Sequence, residues 1–321
     1  MSKKSLASLI FAGVLCPVLP AQSQSLPDGP GKETVAAYCE SCHTFFSRVG
    51  SGYTPEGWRT VIRMMANHGV VVPPDQLAVM TDYLTKHFPE KSKPAGVATP
   101  GPAKVAIKVW PVPTPGSRPH DPLATKDGAI WYSGQMANVL GRLDPKTSEV
   151  KLVTAPTPKS RPYGIQVNSK GVPFTVLFGT NKVASIDPKT MAIKEYTLPD
   201  AGARPRRLAL TSDDVIWYTD NVRGYLGRLD PATGQAKEWL SPGGPQSEPY
   251  GISVIKDIVW YSESGTTPNT VVRFDPKTEK FQTWVIPGGG NIVRNTDVTR
   301  DGNFVLANSL VNAVTLVEID K

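Results

Sequence analysis

Hydrophobic and polar positions along this chain follow two different rhythms. Between Lys32 and Glu90 apolar residues recur with a helical period. Trp58, Val61, Ile62 and Met65 stand at i, i+3, i+4 and i+7 and define one apolar helix face. Thr54 suits the N-cap of that helix, Pro55 its first position, and Gly69 a left-handed stop. A shorter helix is expected at Glu33–Tyr38. Another runs from Pro73-Pro74-Asp75 through Leu77, Met80, Tyr83, Leu84 and Phe88 to a stop at Pro89. From Val105 onward the rhythm changes to short strand-like runs such as Ile130-Trp131-Tyr132-Ser133, Val150-Lys151-Leu152-Val153 and Ile216-Trp217-Tyr218-Thr219.

The second rhythm repeats. Leu143-Asp144-Pro145-Lys146-Thr147 returns as Ile186-Asp187-Pro188-Lys189-Thr190, as Leu229-Asp230-Pro231-Ala232-Thr233 and as Phe274-Asp275-Pro276-Lys277-Thr278, and Ile319-Asp320 ends the chain. The aspartates are spaced 43, 43, 45 and 45. Asp-Pro forms a turn between two strands, because the Asp side chain caps the turn and Pro presets its φ. A period near 43 with four short strands per unit predicts a β-propeller of about five blades. The fifth unit lacks an outer strand, and Val105-Ala106-Ile107-Lys108-Val109-Trp110 is spare, so that N-terminal strand is expected to close the ring. The expected fold class is therefore multidomain: a small all-α domain at 24–90, a Pro/Gly/Ala linker at 91–104, and an all-β propeller at 105–321.

Residues 1–23 add an export signal. Lys3 and Lys4 precede an apolar run, and Ala21-Gln22-Ser23 supplies small residues for cleavage near Ser23. The expected location is the periplasm, and no later segment approaches the length of a membrane span. The two leader lysines lower the formal charge from +7 to +5. No basic run or basic–aromatic face supports nucleic-acid binding. Cys16 leaves with the leader, so Cys39 and Cys42 alone remain and a disulfide framework is excluded.

Those two cysteines sit in Cys39-Glu40-Ser41-Cys42-His43, the attachment pattern of c-type haem. Two thiols at this spacing can each add to a porphyrin vinyl group, and the following imidazole can then ligate the iron. Met65, on the apolar face with Trp58 and Ile62, is the expected second axial ligand; Met64, His68 and Met80 are the alternatives. One covalent haem implies electron transfer with a redox partner protein. Together with Thr54-Pro55-Glu56-Gly57-Trp58, Arg63–Gly69 and Tyr83-Leu84, the motif resembles small cytochrome c domains, in particular the haem domains of quinohaemoprotein amine dehydrogenases.

A second set of aligned positions lies at the start of each unit's first strand: Arg118-Pro119-His120-Asp121, Arg161-Pro162-Tyr163-Gly164, Arg204-Pro205-Arg206-Arg207, Glu248-Pro249-Tyr250-Gly251 and Val293-Arg294-Asn295. These turns place His120, Tyr163, Arg206, Tyr250 and Arg294 around one channel mouth, a candidate site for a small anionic or polyhydroxy ligand. The recurring Tyr-Gly-Ile, Ile-Trp-Tyr and Gly-Arg-Leu-Asp-Pro strings resemble the virginiamycin B (streptogramin B) lyase family. That resemblance implies a seven-bladed propeller, whereas this chain has material for five. It also implies a site of histidines and glutamates beside magnesium, including a Glu-Pro-His turn. Here the turn reads Glu248-Pro249-Tyr250, with Glu263 matching a following glutamate, so the acid/base pair is incomplete and the magnesium is not carried over. The expected function is an electron carrier whose propeller docks a partner or binds a small molecule. The alternatives are a haem-linked oxidoreductase and a lyase-like enzyme at the channel mouth.

Overall fold

The computed structural model describes residues 25–41, 43–47, 52–92, 94–99, 101–289, 292–309 and 313–319. The expected export signal, Cys42 and Asp320 lie outside the described residues. Nineteen strands form five antiparallel sheets among the described residues. The first sheet runs β1 (Pro119–Ala124), β2 (Ile130–Gly134), β3 (Val139–Leu143) and β4 (Val150–Thr154). The second runs β5 (Pro162–Val167), β6 (Pro173–Leu177), β7 (Lys182–Ile186) and β8 (Ile193–Thr197). The third contains β9 (Pro205–Leu210), β10 (Ile216–Asp220), β11 (Tyr225–Leu229) and β12 (Ala236–Leu240). The fourth contains β13 (Pro249–Ile255), β14 (Ile258–Glu263), β15 (Thr270–Asp275) and β16 (Lys280–Val285). The fifth has three strands, β17 (Val293–Val298), β18 (Phe304–Asn308) and β19 (Ala313–Val317).

Each sheet is a meander of neighbouring strands, and each packs on the next in chain order, as blades of a propeller do. The core lies between blades. Trp131 and Leu140 of the first meet Ile165 and Ile186 of the second. Phe174 and Val183 of the second meet Leu208, Ile216 and Tyr218 of the third. Trp217 and Leu226 of the third meet Val259, Tyr261 and Phe274 of the fourth. The repeated Tyr and Gly explain each other. Tyr132 pairs with Gly141 and Tyr218 with Gly227, and a Cβ on either glycine would fall 2.1 or 2.0 Å from the tyrosine ring.

Two expectations are corrected. The first is the separate all-α cytochrome c domain. The described chain is almost entirely β, with only three short helices, α1 (Lys32–Cys39), α2 (Pro55–Asn67) and α3 (Pro74–His87), and a 3-10 turn at Phe45–Ser47. They do not form an all-helical domain of their own. One compact unit holds Met1–Trp58 with Val72–Lys93, and the other holds Arg59–Val71 with Pro94–Lys321. Most of α2 therefore belongs with the strands: Asn67 Nδ2 donates to the carbonyls of Pro115 and Gly116, both at 3.4 Å, and Gly116 lies against the backbone of Arg63 and Met64. In the first unit Phe45, Phe46, Tyr53, Trp58 and Phe88 fill the space between short elements with their own rings.

The second correction concerns the closing strand. Val105, Ile107 and Val109 are 78%, 84% and 81% exposed and lie in no strand, so this segment does not complete the fifth blade. β19 stays an edge, with Val314 and Leu316 exposed, and among the described residues no extensive packing joins the fifth blade to the first. A strand of six residues gains only its ladder bonds unless its alternate side chains find a face to cover.

Candidate ligand site at the propeller mouth

The site is built by an irregularity repeated in every blade. The pairing of the first strand with the second shifts register between Pro119 and Pro122, between Pro162 and Ile165, between Pro249 and Ile252, and between Val293 and Thr296; in the third blade the shift skips Arg206. A bulge frees its residues from the ladder and re-aims their side chains. Just before it, Arg118, Arg161 and Glu248 hold positive φ angles of 49°, 53° and 49°, a conformation side chains adopt at a cost. The residues on the bulges are the ones expected at the mouth.

Four of the five come together. Tyr163 and Tyr250 share a buried hydroxyl–hydroxyl hydrogen bond of 2.8 Å that spans from the second blade to the fourth. Arg206, from the blade between them, lays its guanidinium over Tyr250 at 4.3 Å, Phe178 at 5.0 Å and Tyr163 at 5.6 Å from the ring centres. Its Nη1 donates to Asn221 Oδ1 at 2.8 Å. The His120 ring stacks on Tyr163 with centroids 4.0 Å apart. Arg294 does not join them: it is exposed at the start of β17, and no hydrogen bond or ring contact ties it to the other four among the described residues. Burial, then the hydrogen bond to the Tyr250 hydroxyl, push the Tyr163 phenol above its ordinary pKa.

Asp121, Arg207, Phe178 and Asn221 belong to the site and were not singled out from the sequence. His120 Nδ1–H donates to Asp121 Oδ1 at 2.5 Å, and Arg207 Nη1 donates to Asp121 Oδ2. One carboxylate thus fixes the imidazole and pairs one guanidinium. Asp121 follows His120 directly and Arg207 follows Arg206, so both were within reach of the turn alignment. Phe178 and Asn221 follow other strands, and only folding brings them here.

Glu263 is not at the mouth chemistry. Its buried carboxylate accepts from Ser241 Oγ at 2.5 Å, Gly243 N–H at 2.7 Å and Thr270 Oγ1. Three of its acceptor positions serve the connection between the third and fourth blades and β15, and Glu248 is exposed. These two carboxylates do not fit a shared magnesium ion.

Of the haem-motif residues, Cys39 ends α1 and is half-buried, and burial pushes its thiol up to about 11. His43 Nδ1–H donates to the Thr44 carbonyl at 3.1 Å, which leaves Nε2 as the acceptor nitrogen. Met64 and Met65 are half-buried on α2, whereas Met80 is 1% exposed and serves the core beneath α3. His68 Nε2 lies 3.1 Å from Met136 Sδ, and burial, with Arg161 and Lys159 nearby, lowers its pKa.

The sequence pattern of the virginiamycin B lyase family matches residues 97–314. The chain belongs to the virginiamycin B lyase family. Selenomethionine-substituted virginiamycin B lyase from Staphylococcus aureus is similar over 66% of this chain and 73% of its own, at 25% identity and a TM-score of 0.58. A catalytically inactive form of that lyase, solved with quinupristin, matches at 24% identity and a TM-score of 0.58, covering 65% of this chain and 72% of its own. Hydrazine synthase from Kuenenia stuttgartiensis, at 14% identity and a TM-score of 0.51, covers 66% of this chain and 59% of its own and shares the fold alone. No curated protein matches the chain. Where the resemblance implies a Glu-Pro-His turn, this chain has Glu248-Pro249-Tyr250, and Tyr250 hydrogen-bonds to Tyr163.

Proposed function

We propose that this member of the virginiamycin B lyase family is an exported electron carrier, with a haem that Cys39 and Cys42 would hold covalently and whose iron His43 Nε2 would ligate. The propeller mouth then binds a small anionic or polyhydroxy molecule or docks the redox partner. The observation that carries the haem reading is the motif itself joined to the orientation of His43, whose Nδ1–H is already given to Thr44. The described residues are of the kind the group needs: Cys39 supplies a thiol, His43 Nε2 a free acceptor nitrogen, and Phe45, Phe46 and Phe88 an apolar cluster in the same compact unit. When bound, the haem supplies one-electron transfer. The leader proposes the periplasm.

Protein exported with its leader should keep a haem-staining band on a denaturing gel, and replacing both Cys39 and Cys42 by Ala should abolish it. A band that survives the double change would refute covalent attachment.

The lyase reading rests on the family and on His120, the one mouth imidazole, which Asp121 orients. It lacks a second acid/base group beside it, because Tyr250 is engaged with Tyr163 and Glu263 is buried and hydrogen-bonded to Ser241, Gly243 and Thr270. Streptogramin B cleavage with added magnesium is therefore not expected. Turnover that disappears in His120→Ala would reverse this.

A further inference from the structure

The three guanidiniums around the mouth aromatics are not equivalent. Arg207 is neutralised by Asp121. Arg161 stacks on Phe178, 5.3 Å from its centre. Arg206 is half-buried, boxed against Phe178, Tyr163 and Tyr250, and its hydrogen-bond acceptor is the neutral amide of Asn221. Among the described residues no carboxylate pairs with it. A guanidinium stays charged at any pH a protein survives, and removing it from water without a counter-charge is costly. The ring faces offset part of that cost through cation–π attraction, but they cannot satisfy its remaining N–H groups.

We infer that Arg206 is the anchor of a binding site for a small planar carboxylate, with its carboxylate on the Nη end of the guanidinium and its body against the aromatic walls. A carboxylate matches the guanidinium fork with two parallel charge-assisted hydrogen bonds, whereas a sugar hydroxyl supplies one neutral acceptor. The Asp121–Arg207 pair carries no net charge and Asp121 repels further negative charge, so the site favours one carboxylate over a polyanion. The Tyr163–Tyr250 hydrogen bond closes the floor beneath Arg206, which keeps the two rings in place before any ligand arrives. This rests on the reading of the mouth as a ligand site and narrows its ligand from anionic or polyhydroxy to carboxylate.

The test is calorimetric titration of the full exported protein with benzoate, inorganic phosphate and glucose in parallel. Benzoate should bind saturably, and Arg206→Gln should weaken it about ten-fold or more, the loss expected for a charge-assisted hydrogen-bond pair. Arg206→Lys, which keeps the charge and loses the fork, should fall between. Arg204→Gln removes a neighbouring charge whose guanidinium donates only to the Ala201 and Ala203 carbonyls, and should bind as the parent does. Should Arg206→Gln lose its parent near-ultraviolet spectrum, Arg206→Lys alone decides. Benzoate affinity that is unchanged in the Arg206 variants overturns the assignment to Arg206. Glucose or phosphate binding without benzoate overturns the carboxylate and leaves the mouth site standing. No binding by any of the three overturns both.

Discussion

Asp121 shows how one side chain can organise a site that its neighbours advertise. Its two oxygens divide between His120 and Arg207, and the Asp121 and Arg207 side chains are only 17% and 18% exposed. Replacing the carboxylate with an amide of equal size leaves Arg207 without a counter-charge and His120 with a weaker acceptor. Asp121→Asn should therefore cost about 1–3 kcal/mol of stability, measured by urea unfolding. A loss near zero would mean that Arg207 finds water instead. At this scale the sequence marked the right turns but chose one residue too many and missed its neighbours. Arg294 was expected at the mouth because its turn aligns with the others. It stays outside because the fifth blade does not fold back onto the first, and alignment reports position along a blade, not how far the ring has turned.

The turns repeat as chemistry. In each of the four Asp-Pro turns the aspartate accepts backbone N–H groups two or three residues on: Lys146 for Asp144, Thr190 and Lys189 for Asp187, Ala232 for Asp230 and Lys277 for Asp275. Those bonds hold all four carboxyls below their ordinary 3.8. A folded pKa below the unfolded one gives stability that is complete above about pH 4 and is lost as pH falls through the folded value. The melting temperature should thus drop between pH 5 and pH 3, and replacing the four aspartates by Asn should flatten that slope. An equally steep fall in the variant would assign the acid sensitivity elsewhere, for instance to Asp257, held low by the Ser212 N–H and hydroxyl between the third and fourth blades.

For the whole molecule, four sheets have four strands and the fifth has three among the described residues. A groove of about 480 Å³ lies between the outer strands of the fourth blade and β19, lined by Trp260, Trp284, Val285, Leu316 and Ile319. The segment expected to close the ring lies exposed, so changing Val105, Ile107 and Val109 to Thr should leave the melting temperature unchanged, as surface substitutions do. A fall of several degrees would show that the segment does pair as a strand. Among the described residues no helix is long and apolar enough to cross a membrane.

The sequence alone determined what is local: the 43-residue period, the Asp-Pro turns and the strands around Ile-Trp-Tyr, each written in neighbouring residues whose φ preferences and hydrogen-bonding groups act within a few positions. Tertiary structure decided what depends on distant surfaces meeting. It put most of α2 with the strands, and it left 105–110 unpaired. Through bulges in successive blades it gathered His120, Tyr163, Arg206 and Tyr250 with Asp121, Arg207 and Phe178. Such contacts turn on the angle between blades, which is set by the packing of whole faces and by no single residue's preference.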